Sequence, residues 1–281
     1  MVINGCIPSP ISDKDKLLSN YIPAIKRYPE VCLPPFDLDV LNQGFEPSCV
    51  GFSCAAMKQY MELRERNYRV FDGSWIYWEA KKIDGMPNFP GTYLRSGLTI
   101  LKTLGAKTGN ENPSKYRIKM FAKVDDLSFE GIKKAIFLYG TVLAGFTGSN
   151  EGWKGEVVRP PKAGESTWGH ATALTGYEKN YLIGQNSWGE NKHNKGLFKV
   201  PSNYLPFEAW TIIIDDINEA IDTGWVAGTY LRNNITTANL NMREGAGVGF
   251  KVIRLLPSGT QVQPTGINIR SGNHNWVEIL R

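Results

Sequence analysis

The spacing of apolar residues changes once along this chain, and that change restricts the fold more than any other feature. From Val50 to about Asn67 no proline, and no glycine beyond Gly51, interrupts a run in which Phe52, Ala55, Ala56, Tyr60 and Leu63 recur three or four apart. This predicts a core-facing helix beginning at Cys49. Residues 74–82, 92–104 and 128–139 repeat the helical pattern, the second stopping at Gly105 as a helix C-terminus does. After Gly140 the apolar runs become short or alternating and are bounded by turn residues, at 141–146, 170–177, 181–184, 197–200 and 211–214. A helical half followed by a β-rich half predicts an α+β fold.

The two ends differ from this body. Residues 1–32, leading into Leu33-Pro34-Pro35, are rich in Pro, Ser and charge and read as an extended leader without a core of its own, either a strap or a cleaved segment. The body spans 33–222, with residues 215–234 serving as the connection onward. Within 232–281, candidate strands at 240–242, 251–256, 260–263, 266–270 and 275–280 alternate with Gly-, Ser- and Asn-rich turns, which predicts a small all-β barrel. That segment holds six Lys/Arg and two Glu, most of the chain's net charge of +5, so an anionic polymer is one conceivable ligand.

Composition excludes several classes. With 42% hydrophobic and 21% charged residues, 281 residues suffice for a folded protein of more than one domain. No dense Lys/Arg tract interleaves with aromatics, which argues against nucleic-acid binding. The N-terminus has no basic region followed by a long apolar run, and no stretch is long and apolar enough to span a bilayer. The expectation is a product made in the cytoplasm without a Sec-type signal, with release to act on a cell wall or outside the cell left open. Monomer is the default. Four cysteines (Cys6, Cys32, Cys49, Cys54) are too few for a disulfide scaffold and lack zinc-knuckle spacing. Whether Cys6 pairs with Cys32 stays open, and no metal or cofactor is expected.

The chemistry centres on Cys49. A thiol nucleophile needs positive potential to become a thiolate, and a helix N-terminus supplies it. Pro47 and Ser48 fit the opening turn, with Ser48 as a capping hydroxyl. His170 heads an apolar run that would hold a base on a rigid strand. Asn186, in Asn186-Ser187-Trp188-Gly189, follows the next strand, so two adjacent antiparallel strands would bring its amide to the imidazole and fix the ring. Gln43 stands six residues before Cys49, where its amide could join the Cys49 backbone N–H in stabilising an oxyanion. Cys54 reads as packing, His193 as a loop residue and His274 as a turn residue. No phosphate loop or paired-carboxylate motif competes.

Asn42-Gln43-Gly44, Ser48-Cys49, Phe52-Ser53, Gly169-His170-Ala171, Gly176-Tyr177 and Asn186-Ser187-Trp188-Gly189 stand in the order found in papain-like cysteine peptidases, which the chain resembles over roughly residues 33–214. The resemblance implies a helical lobe and a β-barrel lobe with a cleft between them. It implies Cys49 as nucleophile, His170 as base then acid, Asn186 orienting His170, Gln43 at the oxyanion, and Trp188 shielding the His–Asn bond. Gly91, Thr92 and Gly169 would contact substrate backbone. The interval from Cys49 to His170 is somewhat shorter than the roughly 130–150 residues usual in the family, which implies trimmed loops.

Two positions depart from the family signature: Glu46 stands for its Cys and Val50 for its aromatic. A carboxylate at 46 would disfavour the thiolate slightly. The leader is shorter than the inhibitory prodomain of lysosomal relatives, which argues against autocatalytic zymogen control. The pattern, including Cys6-Ile7-Pro8-Ser9-Pro10, is closer to the bacterial and phage branch. The tail resembles a bacterial SH3-like domain, with Trp276 as a ligand contact or, in the blander reading, a core residue. These resemblances imply an endopeptidase acting on cell-wall peptide, as an endolysin does. The alternatives are a general or secreted protein-degrading protease with a docking module, or a catalytically silent binding protein on the same fold.

Overall fold

The computed structural model describes residues 5–22, 28, 30–34, 38–64 and 67–213, and within the tail 223–228, 231–232, 235–236, 240–243, 252–256, 258, 262, 264–271 and 274–280. The chain forms two compact units, one from residues 1–28 and 36–215, the other from 29–35 and 216–281.

In the first unit, strand β1 (Cys6–Ile7) of the leader pairs in parallel with β2 (Thr92–Tyr93). Helix α1 (Cys49–Arg64) is the axis of the helical half. Sequence periodicity predicted one core-facing stripe, yet Cys49, Val50, Ser53, Cys54, Ala55, Met57, Lys58, Gln59 and Glu62 are all buried. The reason is packing on several sides, against α2 (Gly73–Lys81), α3 (Leu94–Thr103) and the central sheet. Polar residues survive there by pairing: Lys58 Nζ lies 2.5 Å from Glu62 Oε1, and Asn67 donates to Glu62 Oε2. Gly51 and Gly73 let α1 and α2 touch at backbone distance, since a Cβ on Gly51 would stand 2.2 Å from Gly73 O. Helix α2 is capped by Asp72, which accepts from Trp75 N, and α4 (Phe129–Tyr139) by Ser128, which accepts from Gly131 N. The expected start of α3 at residue 92 is corrected by two residues: Thr92 and Tyr93 are extended because they pair with the leader.

The β half was expected as a barrel. Among the described residues it is a six-stranded antiparallel sheet ordered β3-β8-β4-β5-β6-β7, formed by β3 (Met120–Lys123), β4 (Val142–Ser149), β5 (Thr167–Glu178), β6 (Tyr181–Gln185), β7 (Leu197–Pro201) and β8 (Glu208–Ile213), with no pairing of β3 to β7. In register, β5 sets His170 opposite Phe146 of β4 and Ala173 opposite Gln185 of β6. The core joins α1 and α3 to the sheet through Cys54, Leu98, Leu101, Ala171, Ala173 and Trp210.

The second unit carries a five-stranded sheet ordered β13-β12-β9-β15-β14. Its strands are β9 (Thr223–Ala227), β12 (Leu240–Arg243), β13 (Val252–Leu256), β14 (Pro264–Ser271) and β15 (His274–Leu280); β10 (Leu231–Arg232) and β11 (Ile235–Thr236) pair separately. The segment anticipated as a connection therefore supplies β9, the middle strand. Of the strand expected at 260–263, residues 260, 261 and 263 lie outside the described residues. Met242, Leu256, Val262 and Ile279 form this unit's core, and Trp276 is buried, which removes it as an exposed ligand contact.

Candidate active site

Helix α1 opens at Cys49 because Pro47 precedes it and the Ser48 carbonyl accepts from Phe52 N at 3.1 Å. The Ser48 hydroxyl donates to Glu46 O at 3.5 Å. The Cys49 thiol is buried and receives the Ala171 backbone N–H at 3.4 Å, one residue past His170. Cys49, His170, Gln43, Gly44, Trp168 and Trp188 line one cavity of about 150 Å³.

His170 Nε2 lies 2.8 Å from Asn186 Oδ1, joining the strand β5 residue to the one that follows β6. The same Oδ1 accepts from Ser187 N at 2.8 Å. Gln43 is held by its Nε2 donating to Glu46 O at 2.7 Å and its Oε1 accepting from Ser187 Oγ at 2.5 Å. Trp188 covers His170 with ring centroids 4.8 Å apart, while Trp153 and Trp168 approach the imidazole edge-on at 5.3 and 5.7 Å. This enclosure drives the His170 pKa down to about 4, against a smaller upward pull from Asn186. Burial likewise pushes Cys49 up to about 12, although three backbone N–H donors, from Ala171, Val50 and Cys49 itself, pull the other way.

The leader explains that enclosure. Gly5 donates its N–H to Gly169 O at 3.1 Å and accepts from Thr92 N at 3.2 Å, so its backbone occupies two of the three positions expected to meet substrate. A Cβ on Gly5 would stand 2.6 Å from Cys49 Sγ. Gly91, at φ 87°, bonds elsewhere among the described residues: its carbonyl accepts from Lys81 Nζ. Lys81 also donates to Asp84, Met86 O and Phe89 O, and Asp84 Oδ2 accepts from Thr92 Oγ1, so one buried ammonium shapes the wall that presents Thr92.

Other readings sort themselves by contact. Glu46 accepts from Ser74 Oγ at 2.7 Å and Trp78 Nε1 at 2.8 Å, so the carboxylate faces α2. No disulfide joins the four cysteines, and Cys54 packs under Gly97 of α3. Among the described residues no three His, Cys, Asp or Glu side chains could together hold a metal ion, and no helix is long and apolar enough to cross a membrane. Sequence reasoning passed over Lys81 and Trp153 and read His193 as a loop residue, although Trp153 packs on His170 and His193 bonds Asn186; a cation amid apolar positions was the one available signal for Lys81.

Residues 48–206 match the family described as papain family cysteine protease. The chain belongs to that family. No curated protein matches the sequence of this papain-family protease significantly. Among solved structures it is similar to xylellain, a cysteine protease from Xylella fastidiosa, with a TM-score of 0.66 and 20% identity over 76% of this chain and 97% of that one. It is also similar to procathepsin B S9 from Trypanosoma congolense (TM-score 0.60, 11% identity, 75% and 85% of the two chains). A third is procathepsin L2 from the larval midgut of Tenebrio molitor (TM-score 0.57, 17% identity, 76% and 78%).

Proposed function

We propose that this cysteine peptidase is an endopeptidase working through Cys49, His170 and Asn186, with Gln43 at the oxyanion, and that its second unit directs it to cell-wall peptide. The observation that carries the catalytic assignment is the 2.8 Å bond between His170 Nε2 and Asn186 Oδ1 in the cavity that holds Cys49. With Nε2–H donated to Asn186, Nδ1 is the basic nitrogen. It takes the thiol proton, and the thiolate adds to the scissile carbonyl. The oxyanion is met by Gln43 Nε2–H and the Cys49 N–H. His170 returns the proton to the leaving amine; water, deprotonated by the same nitrogen, then opens the thioester and frees the acid and the thiol. Gly91, Thr92 and Gly169 form the substrate-backbone wall, and the leader must leave it before substrate enters.

The SH3-like reading of the tail is supported by its five short antiparallel strands and by six Lys/Arg against two Glu in residues 232–281. Wall peptide as substrate, a bacterial or phage setting and release from the cytoplasm belong to this reading. The test is release of new amino groups from purified Gram-positive walls and from unfolded casein, with Cys49→Ala alongside. Wall cleavage lost in Cys49→Ala establishes the endolysin-type activity. Casein cleavage alone leaves a general protease, and no cleavage of either by leader-displaced enzyme removes the catalytic assignment.

A further inference from the structure

The catalytic hydrogen-bond chain continues one step past Asn186. Asn186 Nδ2 lies 2.8 Å from His193 Nε2, and His193 Nδ1 lies 2.7 Å from Gly155 O. The directions are determined by elimination. Ser187 N–H is a donor, so the Asn186 atom facing it is the carbonyl oxygen, and the amide nitrogen faces His193. Gly155 O only accepts, so His193 carries its proton on Nδ1 and offers a lone pair at Nε2. Every group in the chain from Gly155 through His193 and Asn186 to His170 is then satisfied in one sense only.

We propose that His193 is a positioning residue that locks the Asn186 amide with Oδ1 toward His170, and thereby fixes the catalytic imidazole as the Nε2–H tautomer. This rests on the reading of Asn186 as the group that orients His170. Three further features fit it. His193 sits at φ 53°, a left-handed backbone rare for a non-glycine residue, and such strain concentrates where surrounding structure holds a side chain for function. Its ring stacks on Trp188 at 5.6 Å and 22° and meets Phe198 at 5.4 Å, so one tryptophan covers both imidazoles. The loop behind it is tied to the site through Asn186 N–H to Gly196 O at 2.9 Å. A protonated His193 would turn a second donor on Asn186 Nδ2, and burial together with the neighbouring Lys192 lowers its pKa, against an upward pull from Gly155.

The test combines spectroscopy with kinetics. The chain has three histidines, so a ¹⁵N-histidine spectrum near neutral pH assigns each ring. His193 is expected as the Nδ1–H tautomer and His170 as Nε2–H, and His193→Ala is expected to shift the His170 ring nitrogens. On a peptide substrate, His193→Ala is expected to lower kcat by roughly 10- to 100-fold, the range seen when an outer partner of a site group is removed, with KM little changed. His193→Gln, which can accept from Asn186 and donate to Gly155, is expected to restore most of it. In an Asn186→Ala background His193→Ala should add nothing further. An Nε2–H tautomer at His193, an unshifted His170 signal, or equal losses in both backgrounds would overturn the proposal. Full activity in Asn186→Ala would instead overturn the underlying reading of Asn186, and the His193 and His170 spectra still decide the tautomer lock.

Discussion

Burial sets the protonation of His170, and so ties the fold's stability to pH. Its pKa falls from an ordinary 6.5 to about 4 in the folded chain, so between those values the unfolded chain binds a proton that the folded one refuses. Stability from this residue is therefore complete above pH 6.5, declines as pH falls toward 4, and loses about 3 kcal/mol in all. Urea unfolding of wild type and His170→Gln at pH 7 and 4.5 isolates that slope. Wild type should lose more than the variant, and equal losses would mean that the imidazole is solvated. At this scale the sequence was informative where chemistry needs a particular residue type at a particular place: Cys49 opening a helix, His170 on one strand and Asn186 after the next. His193 was read as a loop residue because its partners, Gly155 and Asn186, meet it only when the turn before β7 folds back.

At the scale of elements, the leader decides whether the nucleophile is reachable. A thiol at about 12 rather than 9.0 carries roughly a thousandfold less thiolate at neutral pH. Gly5 makes this seat possible, because no side chain fits between its backbone and Cys49 Sγ. Gly5→Val is expected to unseat β1 and raise the alkylation rate of Cys49 by iodoacetamide by about 10-fold or more, toward that thousandfold ceiling. Mass spectrometry reads the site, with Cys54 as an internal reference buried under Gly97. An unchanged rate would show that the leader does not gate the thiol. Composition marked the leader as a strap or a cleaved segment but not where it sits, since Pro and Ser content says nothing of register. Residues 92–93 continue the three-and-four spacing of α3, so only the partner strand reveals them as extended.

For the whole molecule, the two units have separate cores: one around Leu98, Ala173 and Trp210, the other around Met242, Leu256, Val262 and Ile279. The turn-rich tail announced β12, β13, β14 and β15 but not β10, β11 or β9, and the five residues of β9 include a glycine and lie before the stretch that reads as a barrel. Separate cores allow the second unit to be impaired without touching the catalytic groups. Leu256 is 4% exposed, and Leu256→Ala is expected to destabilise that unit by roughly 2–5 kcal/mol. If the unit targets the enzyme to walls, this variant should cleave walls several-fold more slowly while its rate on casein matches wild type. A fall in both activities would make the unit a structural support of the catalytic body, and no change in either, with the lowered melting confirmed by calorimetry, would remove targeting from its function.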